Sequence, residues 1–326
     1  MTDFQRRRLL AAGIAAPLSA AFTEARAAAW PERAITLIVP FAPGGIADLT
    51  ARAAAEQMGA SLGKPVVVQN RPSAGSIVAS EVVARARPDG YTLLLLNNSN
   101  ALSVGLFRKL PYDLTKAFAP IGSLAFFDIG LFAPAATRWA GLRDAVAEAR
   151  AKPGRLDVAT IAVGSTQNLA ARLFAMRAGV QFQVIPYPGT PAVVAALRSG
   201  EADLAFEVLA PMLPQVSAGA VKALAVATER RLPVLPAVPT VEQAGVADYR
   251  VASWNGLAAP AGTPAAVVER LNRALREAVA APALRAKLAP LGLRLAAGSP
   301  AELQALLESE IQRWGAVIRA AGIKAE

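Results

Sequence analysis

The sequence predicts an α/β protein built from two similar domains, and three observations carry that reading. Short apolar, β-branched runs alternate with helix-period segments along nearly the whole chain. The length of 326 residues suits two domains of ordinary size, each able to bury its own core. Hydrophobic residues make up 54% of the chain and charged residues 18%, a balance that excludes a disordered or fibrous protein.

The elements follow in order. The opening MTDFQRRRLLAAGIAAPLSAAFTEARA has a basic start, an apolar stretch from Leu9 to Phe22 and small residues at Ala25 to Ala27. This predicts an export signal over residues 1–27, cleaved rather than anchoring, because the apolar stretch falls short of the roughly 20 residues that span a bilayer. Arg6 and Arg7, followed by Leu9 and Leu10, resemble a twin-arginine signal, with general secretion as the alternative. Export would place the chain in the periplasm.

After the signal, AITLIVPF (Ala34 to Phe41) reads as a strand, ADLTARAAAEQMGASLG as a helix ending at Gly63, and KPVVVQN as a second strand. SIVASEVVARARPDG is a helix, and YTLLLLNNSN a strand whose unbroken leucines predict burial on both faces. This βαβαβ order favours a parallel sheet with helices on both sides. A second set of the same rhythm begins near IGSLAFFDIGLFAP. It continues through the helix LRDAVAEARAKPG, the strand LDVATIAV, the helix TQNLAARLFAMRAG, the strand FQVIPY, the helix PAVVAALRSG and the strand ADLAFEVL, and closes with helix-like PMLPQVSAG and the strand VKALAVAT. The chain ends on a strand in YRVASWNGLAAPAGTP and two helices, the second with a capping signal in Ser299, Pro300 and Glu302. If those helices return to the first sheet, the chain crosses between domains near Leu124 and again near Trp254. The predicted division is therefore residues 28–124 plus 254–326 for domain 1 and residues 125–253 for domain 2, with a cleft between them.

Composition also removes chemistry. With no cysteine there is no disulfide, thiolate metal site or thiol nucleophile, and with no histidine there is no Ser-His-Asp triad, His-rich zinc site or imidazole acid–base catalyst. No catalytic residue, metal ligand or cofactor is assigned. The net charge of +10 suits attraction to anionic small molecules or an acidic partner surface, although an Arg-rich composition produces it without purpose. Nucleic acid is set aside as a partner, since the basic residues are scattered singly and aromatics are 6%.

The candidate site rests on loops at strand ends. PFAPGGIADLTAR lacks both the Walker ending and the GxGxxG spacing, so neither nucleotide motif applies. Gly44 and Gly45 still let the backbone approach a ligand closely, and the helix that follows offers unpaired N–H groups and a partial positive charge. The competing reading is a tight βα turn with Asp48 as a helix cap or first-turn residue. AVGSTQNLAARLF has the same form, with Gly164, Ser165, Thr166 and Asn168 at a helix start, and it too is open to reading as a plain cap. Asn98 and Ser99, then Tyr187, Gly189 and Thr190 in PYPGTP, and Glu207 in AFEVL occupy comparable strand ends. Glu207 in an apolar run needs solvent or a partner. Trp254, where the chain recrosses, reads as packing before ligand contact.

WPERAITLIVPFAPGGIADLTAR, LGKPVVVQNRPSAG, ARPDGYTLLL, KLPYDLTKAFAPIG, KPGRLDVA, VPTVEQAG and APAGTP, in this order, resemble the substrate-binding receptors of tripartite tricarboxylate transporters, the TctC or Bug family. The resemblance covers essentially all of the chain after residue 27. It implies a two-lobed periplasmic binding protein of type II-like architecture, a monomer with two α/β domains joined by crossover strands. Such a receptor closes over a small organic carboxylate and delivers it to membrane permease subunits or, alternatively, presents it to a sensor kinase domain. It also implies a grip through backbone N–H groups, small hydroxyls and water, carried here by Phe41, Pro43, Gly44, Gly45, Ile46, Ala47 and Asp48 in the first loop and Gly164, Ser165, Thr166 and Asn168 in the second. Ile46 stands where relatives often have a small or hydroxyl residue, Asn168 where His is common, Pro188 where Lys or Arg is common and Glu207 where Asp is frequent. These departures point away from a tricarboxylate, toward a monocarboxylate or a ligand that is partly apolar or amine-bearing.

Overall fold

A computed structural model describes residues 30–288, 291, 293–320 and 322–323. The predicted export signal lies outside the described residues. Among those described, no helix is long and apolar enough to cross a membrane.

The first lobe grows from three parallel strands, β1 (Ile35–Val39), β2 (Val66–Asn70) and β3 (Thr92–Asn97), in the order β2-β1-β3. Helix α1 (Ile46–Leu62) leads from β1 to β2, and α2 (Ile77–Ala84) leads from β2 to β3. Because β3 lies on the opposite side of β1 from β2, right-handed connections put the two helices on opposite faces. The alternation of buried residues agrees. Leu37, Leu93 and Leu95 pack with Ala51 and Met58 of α1, while Ile38, Leu94 and Leu96 pack with Ala79 and Val83 of α2. Helix α1 begins on extended Gly45 and stops at Gly63, whose left-handed φ of 69° ends the helix without a Cβ penalty.

The second lobe repeats this plan with β5 (Asp157–Ile161), α5 (Thr166–Ala178), β6 (Gln183–Tyr187), α6 (Thr190–Ser199) and β7 (Leu204–Val208), in the order β7-β5-β6. In each lobe the third strand runs straight into a helix: α3 (Asn98–Leu106) after β3 and α7 (Leu209–Ser217) after β7. Helix α4 (Leu142–Ala151) precedes β5, and β8 (Val221–Val226) follows α7.

Two long strands join the lobes. β4 (Phe118–Pro134) pairs antiparallel with β9 (Ala252–Pro260) as far as Asp128, then with β7 and β8 from Ile129 onward. β9 also pairs antiparallel with β3, which continues the first lobe's sheet. Helices α8 (Ala265–Ala280) and α9 (Pro282–Leu288), the short strand β10 (Arg294–Leu295) and helix α10 (Pro300–Ala320) then return to the first lobe, with Leu303 and Leu307 of α10 buried beside Leu94 and Leu96. The capping box holds: Ser299 N donates to Glu302 Oε2 at 2.7 Å and Glu302 N to Ser299 Oγ at 3.2 Å.

Two expectations change. The strand YTLLLLNNSN stops at Asn97, because Asn97 caps a helix. Its Oδ1 accepts from Ser99 N at 2.8 Å, and Asn100 Oδ1 accepts from Asn97 N at 3.0 Å. β4 begins at Phe118 rather than near Ile121, with register shifts between Pro120 and Gly122 and between Ser123 and Ala125 that keep the proline within the strand.

Candidate functional site

Between the lobes lies a cavity at the C-terminal ends of the parallel strands, where each sheet's connections diverge to opposite faces and leave a crevice. Residues opening four helices line it: Gly45, Ile46 and Ala47 of α1, Asn97 and Ser99 of α3, Thr166 and Gln167 of α5, and Gly189, Thr190 and Pro191 of α6. None of the lining residues carries a formal charge. The cavity offers about 70 Å³ to the centres of water-sized spheres. One water needs about 10–15 Å³ on that scale, so the space matches a small organic molecule.

On the first-lobe side, the chain turns at Gly44, with φ of 84°, and enters α1. The first intrahelical bond of α1 runs from Leu49 N to Gly45 O at 3.0 Å, and Gly45 brings no side-chain cap. The N–H groups of Ile46 and Ala47 thus precede the helical ladder, and their residues line the cavity. Asp48 stands behind them. Its carboxylate accepts from Gly44 N at 3.0 Å, Asn70 Nδ2 at 2.8 Å and the Arg52 guanidinium at 3.0 Å. Burial pushes this carboxyl up, but Arg52, Gly44 and Asn70 together outweigh it and hold it below the usual carboxylate range.

On the second-lobe side, Ser165 caps α5 by accepting from Asn168 N at 3.1 Å, and Thr166 and Gln167 take the positions facing the cavity. Behind Gln167 lies Glu207, wholly buried at the end of β7. Its Oε1 accepts from Gln167 Nε2 at 2.7 Å and from Val208 N at 2.7 Å, while Oε2 has no partner. Burial raises this carboxyl to about 7, only partly offset by the hydrogen bonds from Gln167 and Val208.

The crossover strand β9 supplies the remaining wall through Ser253, Trp254 and Asn255. Ser253 Oγ meets Thr166 Oγ1 at 3.0 Å. Trp254 is buried, and its Nε1 has no partner. Asn255 ties its Nδ2 to Thr50 Oγ1 of α1 at 3.0 Å and leaves Oδ1 without one.

A cavity at paired βα loops, walled by helix starts and flanked by two crossover strands, is the arrangement of a two-lobed binding protein. The family model described as "Tripartite tricarboxylate transporter family receptor" matches residues 50–323. The chain belongs to this family. The UPF0065 protein of the tcbD-tcbE intergenic region of Pseudomonas sp. strain P51 is 38% identical over 322 residues, covering 98% of this chain and 95% of its own length. MatC (Rpa3494) from Rhodopseudomonas palustris, solved with bound malate, superposes with a TM-score of 0.84 at 33% identity over 89% of this chain and 100% of that one. Rpa4515 of R. palustris, solved with adipate, gives a TM-score of 0.86 at 32% identity over 91% and 100%.

Within this receptor fold the predicted site residues fall into two layers. Phe41, Pro43, Gly45, Ile46, Ala47, Ser99, Thr166, Gly189 and Thr190 line the cavity. Gly44, Asp48, Asn98, Gly164, Ser165, Asn168, Tyr187 and Glu207 are not among its lining residues. Most of that second set holds the first in place. Asp48 fastens the turn at Gly44, Ser165 caps α5, and Asn168 donates through Nδ2 to Thr160 Oγ1 at 3.1 Å. Tyr187 directs its hydroxyl to Glu201 Oε1 at 2.8 Å on the exposed side. Asn98 lies in the first turn of α3 rather than on a strand end, and it bonds the opposite lobe. Trp254 packs with Ile38 and Leu94, as the sequence predicts, and also lines the cavity. Asn255, which the sequence places beside Trp254 where the chain recrosses, lines the wall, and Gln167 and Ser253 join it although sequence reasoning did not select them. Gln167 had one signal, its place directly after a Gly-Ser-Thr helix start.

Proposed function

We propose that this chain is an exported, periplasmic receptor that binds a small organic carboxylate between its lobes by hinge closure and delivers it to a tripartite membrane permease. The observation that carries the reading is the cavity wall: four helix starts and no formal charge. An anion fits such a wall because helix N-termini supply unpaired N–H donors and a partial positive potential, without the cost of burying a lysine or arginine. Malate and adipate in two structural relatives support the ligand class. The lobes divide as residues 28–124 with 254–326 against 125–253, and β4 and β9, which pair as far as Asp128 and Ala252 where the chain passes between lobes, act as the hinge.

Binding without turnover is part of this proposal. No titratable side chain is among the lining residues, so general acid–base catalysis has no group at the wall. Native mass spectrometry of the chain purified from the periplasm tests the reading, followed by displacement with mono-, di- and tricarboxylates. The expected result is one bound carboxylate per chain that a related acid displaces. A chain that carries none, and whose melting temperature no carboxylate raises, contradicts it.

A further inference from the structure

Asn255 sits in the middle of β9, in register with Asn97 of β3 on one side and Ala125 of β4 on the other. The residue is 1% exposed and lines the cavity, yet its Oδ1 has no hydrogen-bond partner. A buried acceptor left unpaired is costly, and most such groups in folded proteins find a donor.

The orientation of the amide follows from its neighbour. Thr50, wholly buried in α1, donates its hydroxyl proton to Ile46 O at 2.9 Å, with Ala47 O a second acceptor at 3.1 Å. The Thr50 oxygen can therefore only accept from Asn255, and it does so from Nδ2 at 3.0 Å. Turning the amide over would require the Thr50 hydroxyl to leave Ile46 O and Ala47 O and turn its proton to Oδ1. The hydroxyl thus fixes which atom of Asn255 stays free, and that atom is an acceptor. A carboxylate cannot satisfy it, because an ionised carboxylate only accepts.

Resting on the carboxylate-receptor reading above, we propose that Asn255 Oδ1 reads an O–H or N–H donor on the ligand. The preferred ligand is then a carboxylate that also carries a hydroxyl or amino group, and Asn255 is a specificity-determining residue. Helix starts around the cavity hold the anionic end, and the acceptor on the crossover strand selects the second group. An unsubstituted acid leaves the acceptor unpaired on closure.

Matched acids that differ by one donor test this by calorimetry on residues 28–326: propionate against lactate, succinate against malate and aspartate, adipate against 2-aminoadipate. At least one substituted acid is expected to bind about tenfold or more tighter than its parent. In Asn255→Leu that preference should fall to near one, whatever the change in affinity for the parent acid. Thr50→Val, which removes the group orienting the amide, should reduce the same ratio. A folding defect weakens both members of a pair together, so the ratio isolates the contact. Equal binding of every pair in the unaltered chain, or a preference that persists in Asn255→Leu, overturns this inference alone. Binding of no acid at all overturns it together with the carboxylate reading.

Discussion

Asn98 of the first lobe donates through Nδ2 to Thr166 Oγ1 of the second at 3.1 Å, and both residues are buried. Beside this bond Gly75 N donates to Val163 O at 3.4 Å. The lobes therefore meet through main chain and short polar side chains directly next to the cavity. Thr166 serves both purposes, because it lines the cavity and also contacts Ser253 of the crossover strand.

Gly164 is the tightest point of that contact. Its φ of 78° suits glycine, and a Cβ there would stand 3.2 Å from Gly75 N and 3.3 Å from Leu106 Cδ2. Gly164→Ala should hold the lobes apart and weaken carboxylate binding by about tenfold, a loss of closure contacts rather than of ligand contacts. Calorimetry gives the affinity, and small-angle scattering with saturating ligand gives the shape. An unchanged affinity and a fully compacted complex would remove this contact from closure.

Gly45 is the opposite case. Its φ of −80° is ordinary, and the nearest heavy atom to an added Cβ is Ala42 O at 3.9 Å. Gly45→Val should leave the melting temperature within about 2 °C, as for a site without steric conflict. It should abolish measurable carboxylate binding by filling space at the start of α1. Unchanged affinity would take the opening loop out of the site.

Asp48 fastens that loop from behind. Asp48→Ala leaves Gly44 N without its side-chain acceptor and removes one of the two acceptors of Asn70 Nδ2, which keeps Phe41 O, and should cost about 2 kcal/mol, discounted from the full value of a charged network because Arg52 is half exposed. Since the folded-state pKa lies below the usual value, this contribution is present above about pH 3.8 and is lost as pH falls through the folded value. Denaturant melts of both proteins between pH 3 and pH 7 should therefore converge at the acid end. A constant gap across that range would contradict the assignment.

Glu207 has the opposite sign. Its carboxyl titrates near 7 when folded against 4.5 for an ordinary glutamate, so the folded chain holds the extra proton between these values. Stability should fall by about 3 kcal/mol as pH rises from 4.5 to 7 and level off above, and Glu207→Gln should flatten that slope. An anion held beside a neutral Gln167–Glu207 pair meets no repulsion, so carboxylate affinity should also decline above pH 7 in the unaltered chain and not in Glu207→Gln. Parallel pH profiles for the two proteins would show that Glu207 does not titrate in this range.

The α/β rhythm was legible because the buried strands are apolar runs closed by Gly, Pro or a polar cluster, and α1, α5 and α6 each stop at a left-handed glycine, Gly63, Gly179 and Gly200. The end of β3 was not, since Asn97 and Asn100 read as strand until their side chains are seen to cap a helix. The loops of the site could be found from their glycines and their place at strand ends. Which residues face the cavity could not. Glu207 and Gln167 are 40 positions apart in sequence, and only the packing of α5 on β7 shows that one stands behind the other. Asn255 became informative only through Thr50, 205 positions away.

The central claim is that neutral helix starts between two lobes hold a carboxylate. Thermal unfolding of residues 28–326, with malate and with adipate at rising concentration, tests it most directly. Binding to the folded state alone should stabilise by about 2.7 kcal/mol at a hundredfold excess over the dissociation constant, raising the midpoint by about 4–5 °C. Gly45→Val should show no such rise. A midpoint that no carboxylate moves in the unaltered chain, or one that moves equally in Gly45→Val, would contradict the account.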